Sequence, residues 1–129
     1  MSANLPQIIS TSTAPAAIGP YSQAVAYGGL LFCSGQIPLE PQSMTITGTT
    51  AAEQAKQCLE NLGAVLQAAG TSFDRALKTT IFLTDLADFQ AVNEVYASYF
   101  PNLKPARSTI QVAALPRDAK VEIELVAAL

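Results

Sequence analysis

The chain contains no histidine and no tryptophan. Without histidine, neither a Ser-His-Asp nor a Cys-His relay can be built from its own residues. Cys33 and Cys58 are its only cysteines, and two distant thiols with no histidine make no zinc-ligand spacing. Cys33 sits in an apolar strand-like run and Cys58 on the apolar side of a helical pattern, so buried, inert thiols are expected. Charge is scarce as well: 13% of residues are charged, about half the usual share. Seven basic residues oppose ten acidic ones, for a net charge of −3. Lys56, Arg75, Lys78, Lys104, Arg107, Arg117 and Lys120 are dispersed, with no basic stripe to neutralise phosphates, which argues against nucleic-acid binding. No run approaches the roughly 20 apolar residues of a membrane helix, and no export signal opens the chain, so a cytoplasmic location is the default expectation. Gly28-Gly29 lacks a dinucleotide or phosphate-loop context, and no lysine stands in a recognisable Schiff-base setting; no cofactor is expected.

What is present fits one domain of 129 residues, half of them hydrophobic. So little charge on so apolar a chain suggests that part of the surface is covered in an oligomer. Gln7–Thr11 reads as a first strand, and residues 21–35 as a hairpin turning at Gly28-Gly29. Thr50-Ala-Ala-Glu53 is a capping box. The helix it opens carries Ala55, Cys58, Leu59, Leu62, Val65, Leu66 and Ala69 as one apolar stripe, and Gly70 closes it. Gly63 inside that helix implies close packing against a sheet. Leu77–Leu83 reads as a strand. Asp85 and Asp88 are both candidate N-caps for a second helix, with Phe89, Val92, Tyr96, Tyr99 and Phe100 on its buried side. Two alternating runs follow, 105–112 and 121–126. The order β-β-β-α-β-α-β-β predicts an α+β domain, one sheet with both helices on one face. The other face is then bare, and Arg107, Thr109, Gln111, Glu122 and Glu124 are expected on it.

Several residues offer chemistry. The Arg107 guanidinium can grip a carboxylate through two parallel hydrogen bonds, or pair structurally with Glu122 or Glu124. One of those glutamates can position or deprotonate a water molecule, or both can be a solvated strand face. Tyr21 is a proton donor or a half-buried packing residue. Ser34-Gly35 offers a hydroxyl and backbone N–H groups to an anion, or simply ends a strand.

Taken together, Gly19-Pro-Tyr-Ser-Gln-Ala24, Ser34-Gly-Gln-Ile-Pro38, Phe89-x-x-Val-Asn93, Pro105-Ala-Arg-Ser108, Leu115 and Val121-Glu-Ile123 resemble the reactive intermediate deaminase family (RidA, YjgF-like) over nearly the whole chain. The resemblance implies a chorismate-mutase-like α+β fold. That fold has a six-stranded mixed sheet with two helices on one side, in a homotrimer whose sheets form a barrel-like core. It implies a cofactor-free and metal-free hydrolase acting on C=N bonds, a 2-iminobutanoate/2-iminopropanoate deaminase. Such an enzyme disposes of reactive 2-imino and enamine acids shed by pyridoxal-phosphate-dependent dehydratases. Its sites lie between subunits. Arg107 would hold the substrate carboxylate, Glu122 rather than Glu124 would orient the water, and Tyr21 would assist at the reacting centre. Ser34, Gly35, Asn93 and the Thr109 backbone would line the cleft. The alternative is a non-catalytic 2-keto-acid sensor, or a regulatory partner of another enzyme, using the same clefts. Many relatives carry cysteine where this chain has Thr109, so no thiol chemistry is expected at that position.

Overall fold

The computed structural model describes residues 5–129. Its elements follow the predicted order: β1 (Gln7–Ile9), β2 (Ala24–Tyr27), β3 (Leu30–Gln36), α1 (Ala51–Ala68), β4 (Ala76–Leu83), α2 (Phe89–Tyr99), β5 (Ala106–Gln111) and β6 (Val121–Ala128). The six strands form one sheet in the order β1-β2-β3-β6-β4-β5. All neighbours are antiparallel except β4 and β5, which run parallel. A parallel pair needs a crossover, and α2 supplies it.

Local chemistry explains most boundaries. Gly28 and Gly29 take φ of 61° and 80°, the left-handed pair that a two-residue hairpin turn between β2 and β3 requires. Thr50 Oγ1 accepts from Glu53 N while the Glu53 carboxylate accepts from Thr50 N, so the capping box is complete. Of the two candidate caps, Asp85 accepts from Ala87 N and caps a short 3-10 turn, whereas Asp88 makes no capping bond. The first strand is shorter than predicted. The Gln23 amide bonds both backbone groups of Thr11, leaving none for a ladder. Tyr21 likewise lies outside β2, in a turn closed by Tyr21 N to the Gly19 carbonyl.

The core lies between the sheet and the two helices. Leu59, Leu62, Val65 and Leu66 of α1 and Val92 and Tyr96 of α2 pack with Phe100 over Leu31, Ile81, Leu83, Val121 and Ile123. Both cysteines are buried as expected; burial pushes the Cys33 thiol up to about 12, and burial, helped by the Glu122 charge, raises Cys58 well above its ordinary value. Gly63 departs from expectation. It packs against the Phe73 ring, where a Cβ would stand 3.1 Å from Cε2, rather than against the sheet.

One larger expectation is overturned. Along β6, Val121, Ile123, Leu125 and Ala127 are buried under the helices, so Glu122 and Glu124 face the opposite, bare side. On β5, Arg107, Thr109 and Gln111 pair in parallel register with Thr79, Ile81 and Leu83, all fully buried beneath the helices. Arg107, Thr109 and Gln111 therefore point to the helix-bearing side. It is Ser108, bonded to Lys78 Nζ, that shares the glutamates' face. A salt bridge from Arg107 to either glutamate within one chain is excluded by this geometry.

Candidate functional site

The glutamate side of the sheet carries an open pocket of about 630 Å³, lined among others by Tyr21, Ser34, Gly35, Arg117, Glu122 and Glu124. Three parts of the chain meet there because β3 and β6 are neighbours while the 15–23 segment folds back over the start of the hairpin. Gln23 pins that segment through its side-chain bonds to Thr11, Ala14 and Pro15. The Glu122 carboxyl lies directly over Gly35, where any Cβ would collide with Oε2 and stand 2.9 Å from Cδ. A Cβ at position 35 would push the Glu122 carboxyl out of this place, so the glycine serves that carboxyl's position rather than its own backbone angles. Burial, and secondarily the neighbouring Glu124 charge, pushes the Glu122 pKa above its ordinary value of 4.5. Ser34 Oγ donates to the Ser22 carbonyl at 2.6 Å, so its oxygen remains available only as an acceptor. Tyr21 is 54% exposed, its ring open to the pocket.

The rim of this pocket is a tied strap. Arg117 Nη2 donates to the Met44 carbonyl at 2.8 Å, joining the 38–48 loop to the β5–β6 connection. Met44, Arg117 and Asp118 all hold φ near +60°, unusual for side chains with a Cβ. Nothing in the residue pattern of the sequence marks this strap.

Arg107 occupies a second, separate hollow of about 430 Å³ on the helix side, together with Asn93, Tyr96, Lys104 and Pro105. Its guanidinium carbon stands 4.9 Å from the Tyr96 ring centroid and 5.4 Å from that of Phe89. Nη1 donates to Asn93 Oδ1 at 2.6 Å. Phe89, Asn93 and Tyr96 recur at steps of four and three along α2, so one helix face carries all three. That spacing reads equally as core in the sequence, which carries no mark of the arginine's aromatic seat. Tyr96 is itself fixed, its hydroxyl 2.7 Å from Thr79 Oγ1. An arginine held by two rings and an amide keeps most of its fork free for a planar anion. Thr109 does not line this hollow; its Oγ1 is buried without a hydrogen-bond partner.

The site residues expected from the sequence thus fall into two groups on opposite faces of the sheet. Tyr21, Ser34, Gly35 and Glu122 belong to one, and Asn93 and Arg107 to the other. Among the described residues no cluster of three or more His, Cys, Asp or Glu could hold a metal, and no helix is long and apolar enough to cross a membrane.

Known proteins share the fold and much of the sequence. A family model described as Endoribonuclease L-PSP matches residues 11–129. The 2-iminobutanoate/2-iminopropanoate deaminase of Mus musculus is 50% identical over 127 residues, covering 98% of this chain and 94% of that protein. The crystal structure of RidA from the Antarctic bacterium Psychrobacter sp. PAMC 21119 shares the fold with a TM-score of 0.91 at 42% identity, covering 95% of this chain and 99% of that one. The crystal structure of E. coli TdcF with bound serine gives a TM-score of 0.90 at 46% identity, covering 95% and 98%. With half its residues shared and its six-stranded sheet and two helices superimposable, the chain belongs to the RidA/YjgF family, that of the Endoribonuclease L-PSP model.

Proposed function

We propose that the protein hydrolyses 2-imino acids and their enamine tautomers to 2-keto acids and ammonia, in clefts formed where copies of the chain meet. The observation that carries this reading is the Glu122 carboxyl, held over Gly35 with a raised pKa in a pocket that also holds the Tyr21 phenol. The name of the mouse relative, an imine deaminase, supports the same chemistry.

Arg107 of one copy clamps the substrate carboxylate, which fixes the plane of the adjoining C=N bond. The Glu122 pocket comes from another copy, since the two groups face opposite ways in one chain. Water held by Glu122 attacks the protonated imine carbon, and the C=N π pair passes to nitrogen as Glu122 accepts the water's proton. Tyr21 hydrogen-bonds the reacting nitrogen. Glu122 returns the proton to that nitrogen and, again a carboxylate, takes the carbinolamine hydroxyl proton as the C=O bond forms and the C–N bond breaks; the departing ammonia carries that proton away as ammonium, leaving the 2-keto acid. A protonated imine is electrophilic enough that no covalent nucleophile is needed. Substrates such as 2-iminopropionate arise where pyridoxal-phosphate-dependent dehydratases act on serine or threonine.

The bare sheet face supports assembly. Ile8, Val25, Phe32 and Val126 stand side by side across four strands. Ile8 and Phe32 are 70% and 46% exposed. A contiguous apolar row of this kind is the usual mark of an interface, and a homotrimer burying it fits the low surface charge.

Keto-acid release from a dehydratase–serine mixture tests the reaction. Arg107→Ala should lower kcat/KM by roughly 100-fold or more through loss of the clamp. Glu122→Gln should bind keto acids normally while slowing hydrolysis by about 100-fold or more. Equal rates for wild type and Glu122→Gln would instead favour a non-catalytic keto-acid sensor.

A further inference from the structure

The Arg107 hollow contains a second cation that the reaction above does not use. Lys104 lines the same 430 Å³ space, and no carboxylate does. Lys104 Nζ donates to the Phe100 carbonyl at 2.7 Å, at the residue that caps α2. An ammonium has three donors, and this bond uses one. Lys104 and Arg107 are three positions apart along the chain, so their Cα atoms lie no more than about 11 Å apart. Pro105 between them restricts how the segment can move. Two cations on one small hollow, in a chain whose net charge is −3, form a local positive site that a single carboxylate would only half satisfy.

We propose that Lys104 is a specificity residue that selects substrates bearing a second, distal carboxylate: 2-imino dicarboxylic acids and the corresponding 2-keto diacids. This rests on the placement of the substrate's α-carboxylate at Arg107. With that end clamped, the chain of a four- or five-carbon diacid extends along Pro105 towards the two free donors of Lys104. Asn93 Oδ1 accepts from Arg107 and the Tyr96 hydroxyl pairs with Thr79, so Lys104 is the charged donor besides Arg107 that this hollow offers to the far end. When a neighbouring copy closes over the hollow, water leaves. An ammonium bonded only to a carbonyl is then costly, and a second anion removes that cost.

Calorimetric binding of 2-oxoglutarate and 2-oxopentanoate isolates the distal carboxylate, because the two differ only at that end. Wild type should bind 2-oxoglutarate about 10-fold or more tighter at low salt, in line with a charge-assisted hydrogen bond. Lys104→Met should erase the difference, weakening 2-oxoglutarate far more than 2-oxopentanoate, and Lys104→Arg should retain it. A purely helix-capping lysine would lower thermal stability on substitution but leave the affinity ratio alone, and an unchanged ratio would overturn the proposal. So would a loss of assembly in Lys104→Met with selectivity intact, which would mean the lysine pairs with a carboxylate of another copy. Selective binding that persists without imine turnover would sink the deaminase reading and not this one. Loss of all keto-acid binding only in Arg107→Ala would support the shared anchor.

Discussion

Glu122 is costly to the fold. Its pKa lies above 4.5 because burial, and then Glu124, penalise the charged form. A carboxyl raised in the folded state is favoured there when protonated. The penalty therefore grows as pH rises from the unfolded pKa through the folded one, and is fully present at neutral pH. Glu122→Gln is expected to melt higher than wild type at pH 7, an advantage that vanishes below about pH 4.5, as paired thermal melts will show. In turnover the same shift places the acidic limb of the pH–rate profile above that of a free carboxylate. Glu124→Gln, by removing the like charge, should move that limb to lower pH without abolishing activity. Individual residues were unevenly legible in the sequence. Preference for Glu122 over Glu124 came from the family pattern. The structural reason, a glycine cleared beneath one carboxyl and none beneath the other, depends on strand pairing that alternation does not specify.

At the level of elements, the helices and the hairpin were readable because their signals are local: a capping box, an apolar stripe, two adjacent glycines. The placement of β5 was not. It is an edge strand on which every residue but Thr109 is exposed, so its period-2 pattern carries no burial contrast to tell one face from the other. Its parallel register with β4, set by the α2 crossover, decides the face, and no short window of sequence encodes that. The strap between the 38–48 loop and the β5–β6 connection was invisible for a related reason. It rests on three non-glycine residues at positive φ, which only their tertiary context enforces. Arg117→Gly should relieve backbone strain while removing the bond to Met44, leaving global stability within about 1 kcal/mol of wild type. Amide exchange in residues 39–46 should nevertheless accelerate. Unchanged exchange there would show that the Leu39–Ile46 bridge holds the loop without Arg117.

On the scale of the whole molecule, a sheet with its clamp on one face and its water-holder on the other cannot act alone under the proposed mechanism. Complementation follows. Arg107→Ala and Glu122→Gln chains, each nearly inactive, should recover part of the activity when refolded together, because some clefts then pair an intact Arg107 with an intact Glu122. No recovery in mixed assemblies of verified composition would place both residues in a single-chain site and refute the split. The two halves also differ in how far apart their parts lie along the chain. Phe89, Asn93, Tyr96 and Arg107 come from one helix and the strand directly after it, a short closure with little entropy to overcome. The opposing pocket must bring residues 15–44 together with 116–124, nearly the full length of the polypeptide. During folding the anion seat should therefore organise early and the glutamate pocket late. A half-folded chain would already be able to hold a carboxylate long before any chain could spend water on it.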